Sequence, residues 1–259
     1  MAINGLASFG PSIDNLTVFQ DYPARSSAGN FIKVPLLIGS TDYEAGESAA
    51  VDALSNITYP KSYWIAETLN TFTCPAGIRA NISIENNVPT WRYRWFGDFP
   101  NIRLTSVPDS GAYHTSEIMS IFDTAPVSAP GNGIPPATDE EIAIGNYMRG
   151  AWAAFAKDPI AGLSSYASGW PVYNPGNETL VRLAYMNLTG TNLASPAIYD
   201  VNCTDTVVVS GIVGGANTTA TSSGSVSPTS LKSASASAKA VDMSLILGFS
   251  VAIGIILLS

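Results

Sequence analysis

The sequence predicts an α/β protein, from two strand signals with helical ones between them. Lys33-Val34-Pro35-Leu36-Leu37-Ile38-Gly39 is a short apolar run closed by glycine, the pattern of a buried strand covered on both faces in a parallel sheet. Trp91, Tyr93 and Trp95 alternate with Arg92 and Arg94, and a period of two marks a second strand. Between them, residues 62–73 carry Ile65, Leu69 and Phe72 at helical spacing. Cys74-Pro75 then starts a second helical stretch, with proline in a first turn where its missing N–H does no harm. Strand, helices, strand is a parallel crossover unit.

Further along, Thr138-Asp139-Glu140-Glu141 is a capping box. Ile144, Met148, Ala151 and Phe155 follow on one helical stripe, and Asp158-Pro159 ends the helix. These stripes read as core. Residues 160–206 carry many turn signals around one strand-like run, Leu180 to Leu188, and the chain holds no internal repeat.

Composition excludes several functions. Charged residues are 12% of the 259, about half the usual ~25%, while hydrophobic residues reach 46%, enough to build a core. The net charge of -8, with no cluster of Lys and Arg, argues against a nucleic-acid partner, which needs a basic face to displace counterions. Two cysteines exclude a disulfide-rich miniprotein and a four-thiolate zinc site. With one histidine, any imidazole chemistry runs through His114.

The two ends of the chain point to export. Residues 207–242 are rich in Ser, Thr, Ala and Gly, a composition that reads as a disordered linker. Residues 243–258 form a hydrophobic tail of 16 residues without a charge, short of the ~20 of a membrane span. A small-residue site at Ser233, a polar spacer and such a tail make a glycosylphosphatidylinositol signal, with a retained membrane helix as the rival reading. Sequons at Asn15, Asn56, Asn81, Asn177, Asn187, Asn202 and Asn217 fit a glycoprotein of the secretory pathway, held at the cell surface by its C-terminal tail. Met1 to Gly5 opens with neither a basic start nor an apolar run, so the expectation is that a front segment with the export signal is missing from this chain.

Two loops carry the chemistry. Gly39-Ser40-Thr41-Asp42-Tyr43-Glu44-Ala45-Gly46 follows the first strand, and Val107-Pro108-Asp109-Ser110-Gly111-Ala112-Tyr113-His114 follows the second. In parallel sheets, catalytic groups gather at the carboxyl ends of strands. An acid after one strand and a histidine after the next is how an α/β-hydrolase presents two thirds of its triad.

On these segments the sequence resembles the C-terminal part of a type-B carboxylesterase, the group that includes cholinesterases and fungal lipases. Phe9-Gly10-Pro11-Ser12-Ile13-Asp14 and Val34 to Gly39 are similar to the family's approach to its acid, and Gly111-Ala112-Tyr113-His114-Thr115-Ser116-Glu117 resembles its histidine segment. The resemblance spans residues from about 5 to 206. It implies the last parallel strands and helices of an α/β-hydrolase fold over residues 1–206, with Glu44 as the acid beside His114 and a disulfide between Cys74 and Cys203. Many members have a more acidic Asp-Glu-Gly where this chain has Tyr43-Glu44-Ala45, and Asp42 and Asp109 compete with Glu44 for the role. Glu117 reads as a salt-bridge or helix-start charge. A disulfide closing so long a loop would stabilise by about 3–5 kcal/mol.

The family's nucleophile sits on a Gly-x-Ser-x-Gly elbow upstream of the acid, and the chain has no such motif there. Gly46-Glu47-Ser48-Ala49-Ala50 is a decoy, because Ser48 comes one helical turn after Glu44 and in the wrong order. The expectation is therefore a carboxylic ester hydrolase of Ser-His-Glu type acting on a small or lipid ester. Its nucleophile segment would lie outside this chain, which alone would be inactive and fold poorly. No metal or organic cofactor is implied. The alternative is a non-catalytic cell-surface glycoprotein of the same ancestry, acting in binding or adhesion.

Overall fold

The structure, a computed structural model, describes residues 12–203. The expected linker 207–242, the tail 243–258, Asn217 and Ser233 lie outside the described residues, as does the front of the Phe9-Gly10 motif. The described residues divide between two units, residues 12–20 in one and residues from Asp21 onward in the other. In the first, the Asp14 carboxylate accepts the Thr17 hydroxyl at 2.6 Å and the backbone N–H groups of Leu16, Thr17 and Val18 at 2.8–2.9 Å.

The second unit opens with α1, Tyr22–Ser27, and is built on a four-stranded sheet. Its strands β1 (Leu36–Thr41), β2 (Thr90–Trp95), β3 (Leu180–Leu183) and β4 (Leu193–Ala194) lie in the order β1-β2-β3-β4. The first three are parallel, with Leu36 opposite Thr90 and Arg92 opposite Leu180. β4 runs antiparallel to β3, so the sheet is mixed rather than wholly parallel. The crossover from β1 to β2 carries α2 (Gly46–Leu54), α3 (Lys61–Thr68) and α4 (Cys74–Glu85). After β2 come α5 (Ser116–Phe122), α6 (Asp139–Lys157) and the single turn α7 (Gly162–Ser165).

Three expectations need correction. The first strand lies at Leu36–Thr41 instead of residues 33–39, and four of its six residues are only half-buried. β1 pairs with β2 alone among the described strands, so half-burial is what one neighbour gives. The two helices expected around Thr73 form one continuous rod, because a π-helical stretch, Leu69–Thr73, joins α3 to α4 without a break. The run expected from Leu180 to Leu188 stops as a strand at Leu183. Ala184, Met186 and Asn187 all take positive φ, which no strand can hold.

β2 is buried on both faces, Arg92 and Arg94 as well as the tryptophans. One face packs Trp91 and Trp95 into a core with Ile144, Met148 and Ala151 of α6, closed by Leu163, Trp170 and Val181. On the other face, the Arg92 guanidinium forks onto Asp200, with Nη2 at 2.8 Å from Oδ1, and also donates to the Thr73 carbonyl. A buried arginine is tolerable only when so paired. Asp200 lies three residues before Cys203, and the Cys74–Cys203 disulfide fastens that segment to the first residue of α4. The capping box is half-made. Thr138 Oγ1 accepts from Glu141 N–H at 3.2 Å, but the Glu141 carboxylate accepts from Asn101 instead of reaching back.

Candidate acid–base site

β1 ends at Thr41 and the chain turns through Asp42 to Ala45 before α2 begins. The turn is locked by its own acid, since Glu44 Oε1 accepts the Thr41 N–H at 2.6 Å, and Thr68 Oγ1 of α3 accepts the Ala45 N–H at 3.1 Å. α2 must start at glycine, because a Cβ on Gly46 would stand 2.0 Å from the Ser110 carbonyl oxygen. That close approach brings the loop after β2 alongside.

Three bonds then stitch the two loops together. Tyr43 N–H donates to the Ala112 carbonyl at 3.0 Å, and His114 N–H donates to the Glu44 carbonyl at 3.2 Å. The third joins the side chains, His114 Nδ1 to Glu44 Oε2 at 2.7 Å. Glu44 is 5% exposed, and the His114 side chain is 22% exposed. A carboxylate accepts only, so Nδ1 carries the proton and Nε2 is left as the free base. His114 Nε2 is buried and has no hydrogen-bond partner among the described residues. The Phe72 ring, in the π-helical stretch, lies 4.9 Å from the imidazole.

The rival acids are committed elsewhere. Asp42 pairs with Arg94 Nε at 2.8 Å, and Asp109 is exposed, accepting from Gly111 N–H and lying 4.0 Å from Arg103. Ser48 sits within α2, and no hydrogen bond joins it to His114. Glu117 corrects the salt-bridge reading. It does stand in the first turn of α5, but it makes no ion pair, and its Oε2 is buried without a partner among the described residues. Sequence reasoning missed Thr68 and Arg94, which carry no local signal, and took Phe72 only for a packing residue.

Electrostatics distinguish the two groups. Burial works against the charged imidazole of His114, but the Glu44 hydrogen bond and charge, with Glu117 and Glu47 behind them, raise it above its ordinary value. Burial pushes the Glu117 carboxyl up to about 7, and the Glu44 charge adds to the effect. A group raised in the folded state contributes stability that is complete below its unfolded value and lost as pH climbs through the folded one. For Glu117 the window runs from 4.5 to about 7. Thermal melts across it should show the wild type losing ground to Glu117→Gln as pH rises, and parallel curves would contradict the assignment.

An open cavity of about 690 Å³ lies nearby, lined among others by Tyr43, Trp64, Phe96, Asp98, Val107 and Ala112. Neither Glu44 nor His114 lines it, so it is not the acid–base site. Among the described residues no helix is long and apolar enough to cross a membrane, and no cluster of three or more His, Cys, Asp or Glu could hold a metal ion.

The chain matches no protein-family profile. It is 30% identical over 172 residues to a chlorogenic acid esterase of Aspergillus niger, covering 66% of this chain and 32% of that protein. It is also 30% identical over 188 residues to secreted lipase 5 of Gibberella zeae, covering 67% of this chain and 32% of the lipase. The chain thus spans about a third of the length of the curated relatives it matches. Carboxylesterase EST55 of Geobacillus stearothermophilus aligns structurally with a TM-score of 0.49 at 19% identity, over 68% of this chain and 40% of that one.

Proposed function

We propose that this chain, a member of the carboxylesterase and lipase family of its fungal relatives, supplies the base and the orienting acid of a serine ester hydrolase. The observation that carries the reading is the Glu44–His114 contact at 2.7 Å, with Nε2 buried and unpartnered. In this reading a serine hydroxyl, from a segment outside the described residues, gives its proton to His114 Nε2 as its oxygen attacks the ester carbonyl. Glu44 fixes the tautomer and stabilises the imidazolium. The imidazolium returns the proton to the departing alcohol, leaving an acyl-enzyme. Water, deprotonated by the same nitrogen, then releases the acid and restores the serine.

Two names among the relatives, an esterase and a lipase, support an ester substrate, and one of them, a secreted lipase, supports export. Export fits the sequons. Asn15, Asn56, Asn177, Asn187 and Asn202 are exposed, whereas Asn81 is half-buried on α4 with Oδ1 accepting from the Tyr173 hydroxyl. The first five are the better glycan sites. Anchoring through residues 243–258, with attachment at Ser233, stays part of the proposal.

The test is hydrolysis of a p-nitrophenyl ester by the protein made from its native transcript. His114→Ala should abolish turnover above the residual rate that binding alone provides. Undiminished hydrolysis by that variant would remove His114 from the mechanism. A wild type that is inactive on esters would leave the binding-protein alternative standing.

A further inference from the structure

We propose that Arg94 is a positioning residue for the Glu44–His114 pair, its guanidinium bolting the acid's turn to the helical stretch that packs against the imidazole. The catalytic meaning of this role rests on the hydrolase reading above, but the clamp itself does not. All three guanidinium nitrogens are engaged. Nε donates to Asp42 Oδ1 at 2.8 Å and Nη2 to the Asp42 carbonyl at 3.0 Å. Nη1 donates to Thr73 Oγ1 at 3.1 Å. Asp42 is the first residue after β1, and its own N–H donates to the Trp95 carbonyl at 2.7 Å. Two residues on stands Glu44, whose Oε1 reaches back to the Thr41 N–H and whose Oε2 meets His114. Thr73 follows directly on Phe72, the ring 4.9 Å from that of His114.

The clamp is itself held from outside the site. Thr73 is buried, and its carbonyl accepts from Arg92 Nη2 at 3.3 Å. Arg92 forks onto Asp200, and Tyr199, the neighbour of Asp200, lies over the Arg94 guanidinium at 4.7 Å. Arg94 therefore links a polar network under the sheet to the turn that carries the acid.

A buried ion pair is weak evidence for stability, since apolar side chains of the same volume often hold a fold as well. What they cannot do is keep two separated acceptors in a fixed relation. The planar fork of Arg94 does so for Asp42 and Thr73, whereas a lysine has its three donors on one atom. Lysine would keep a charge for Asp42 and give up the fork. The turn is then free to shift, and Glu44 Oε2 shifts with it relative to His114 Nδ1. A misplacement of about 1 Å at a catalytic group costs on the order of 10²-fold in rate.

Arg94→Lys in the protein made from its native transcript tests the role. Its kcat on a p-nitrophenyl ester should fall about 10²-fold with KM little changed. The His114 Nδ1 proton, identified as the downfield resonance that His114→Gln removes, should move and exchange faster with water. Met148→Ala, a cavity on the opposite face of the sheet, should lower the melting temperature and leave that proton in place. Arg94→Lys with the proton unmoved, whatever its kcat, overturns the proposal, as does a Met148→Ala variant that moves the proton as far. Should Arg94→Lys not fold, Asp42→Ala decides it, because the Asp42 side chain is 42% exposed and water can take its place. That variant should move the same proton and cost at least about tenfold in kcat. A wild-type spectrum and rate would overturn the proposal. Should the wild type hydrolyse no ester while Arg94→Lys still moves the proton, the hydrolase reading falls and the clamp stands. Hydrolysis by the wild type with an unmoved proton in the variant sinks the clamp alone.

Discussion

Glu44→Gln is expected to lower kcat for ester hydrolysis by about four orders of magnitude while changing KM little. The glutamine oxygen can still accept the Thr41 N–H that now bonds Glu44 Oε1, so the turn between β1 and α2 should survive. The amide cannot accept the Nδ1 proton of His114 at the second position, where Oε2 now stands 2.7 Å away. The ring then places its proton on Nε2 and loses the lone pair that the serine hydroxyl needs. Losing the Glu44 charge also lowers the proton affinity of the imidazole, so any residual activity should have its acid limb at lower pH. Steady-state kinetics on the product of the native transcript would check both effects. A variant within tenfold of the wild type would show that Glu44 orients nothing.

Breaking the Cys74–Cys203 disulfide is expected to cost about 5 kcal/mol in the chain-entropy treatment, because the bridge joins residues 129 apart in sequence. The cost should not be confined to the unfolded chain. Asp200, three residues before the bridge, is the carboxylate that neutralises the buried Arg92. If the segment lifts away, a guanidinium is left uncompensated beneath the sheet, a situation worth about 3–5 kcal/mol. The two losses share one segment and should not add. Urea unfolding of Cys74→Ser/Cys203→Ser against the oxidised wild type, then with Asp200→Asn added, measures the coupling. A loss under about 1 kcal/mol for the double cysteine variant would contradict the account.

The elements that carry the site were legible where local chemistry dictates them. The glycine-closed apolar run, the alternating tryptophans and the Thr138 cap each specify their element by themselves, and β1, β2 and α6 follow. Glu44 and His114 were legible as candidates from their places after two strands. Their contact depends on the glycine start of α2 and on backbone bonds between loops 70 residues apart, which no local pattern contains. The buried arginines of β2 illustrate the opposite limit. The alternation of Trp with Arg marks the strand, but not what its arginines meet, because Asp42 and Asp200 that pair with them are both distant in sequence. Likewise β3 stops at Leu183 because Ala184 turns left-handed, although Leu180 to Leu188 is apolar enough to suggest a longer strand. Glu117 looked like a helix-start charge because its position in α5 is that of one. Its burial comes from the packing around it.

If His114, held by Glu44, activates a serine, that serine should react with an electrophilic phosphonate. The most direct measurement is covalent labelling by a fluorophosphonate probe, with mass-spectrometric mapping of the labelled residue, on the protein made from its native transcript. One serine should be labelled, on a Gly-x-Ser-x-Gly elbow and distinct from Ser48, with labelling lost in His114→Ala and strongly slowed in Glu44→Gln. Labelling on Ser48, or labelling that proceeds equally well without the imidazole, would contradict it.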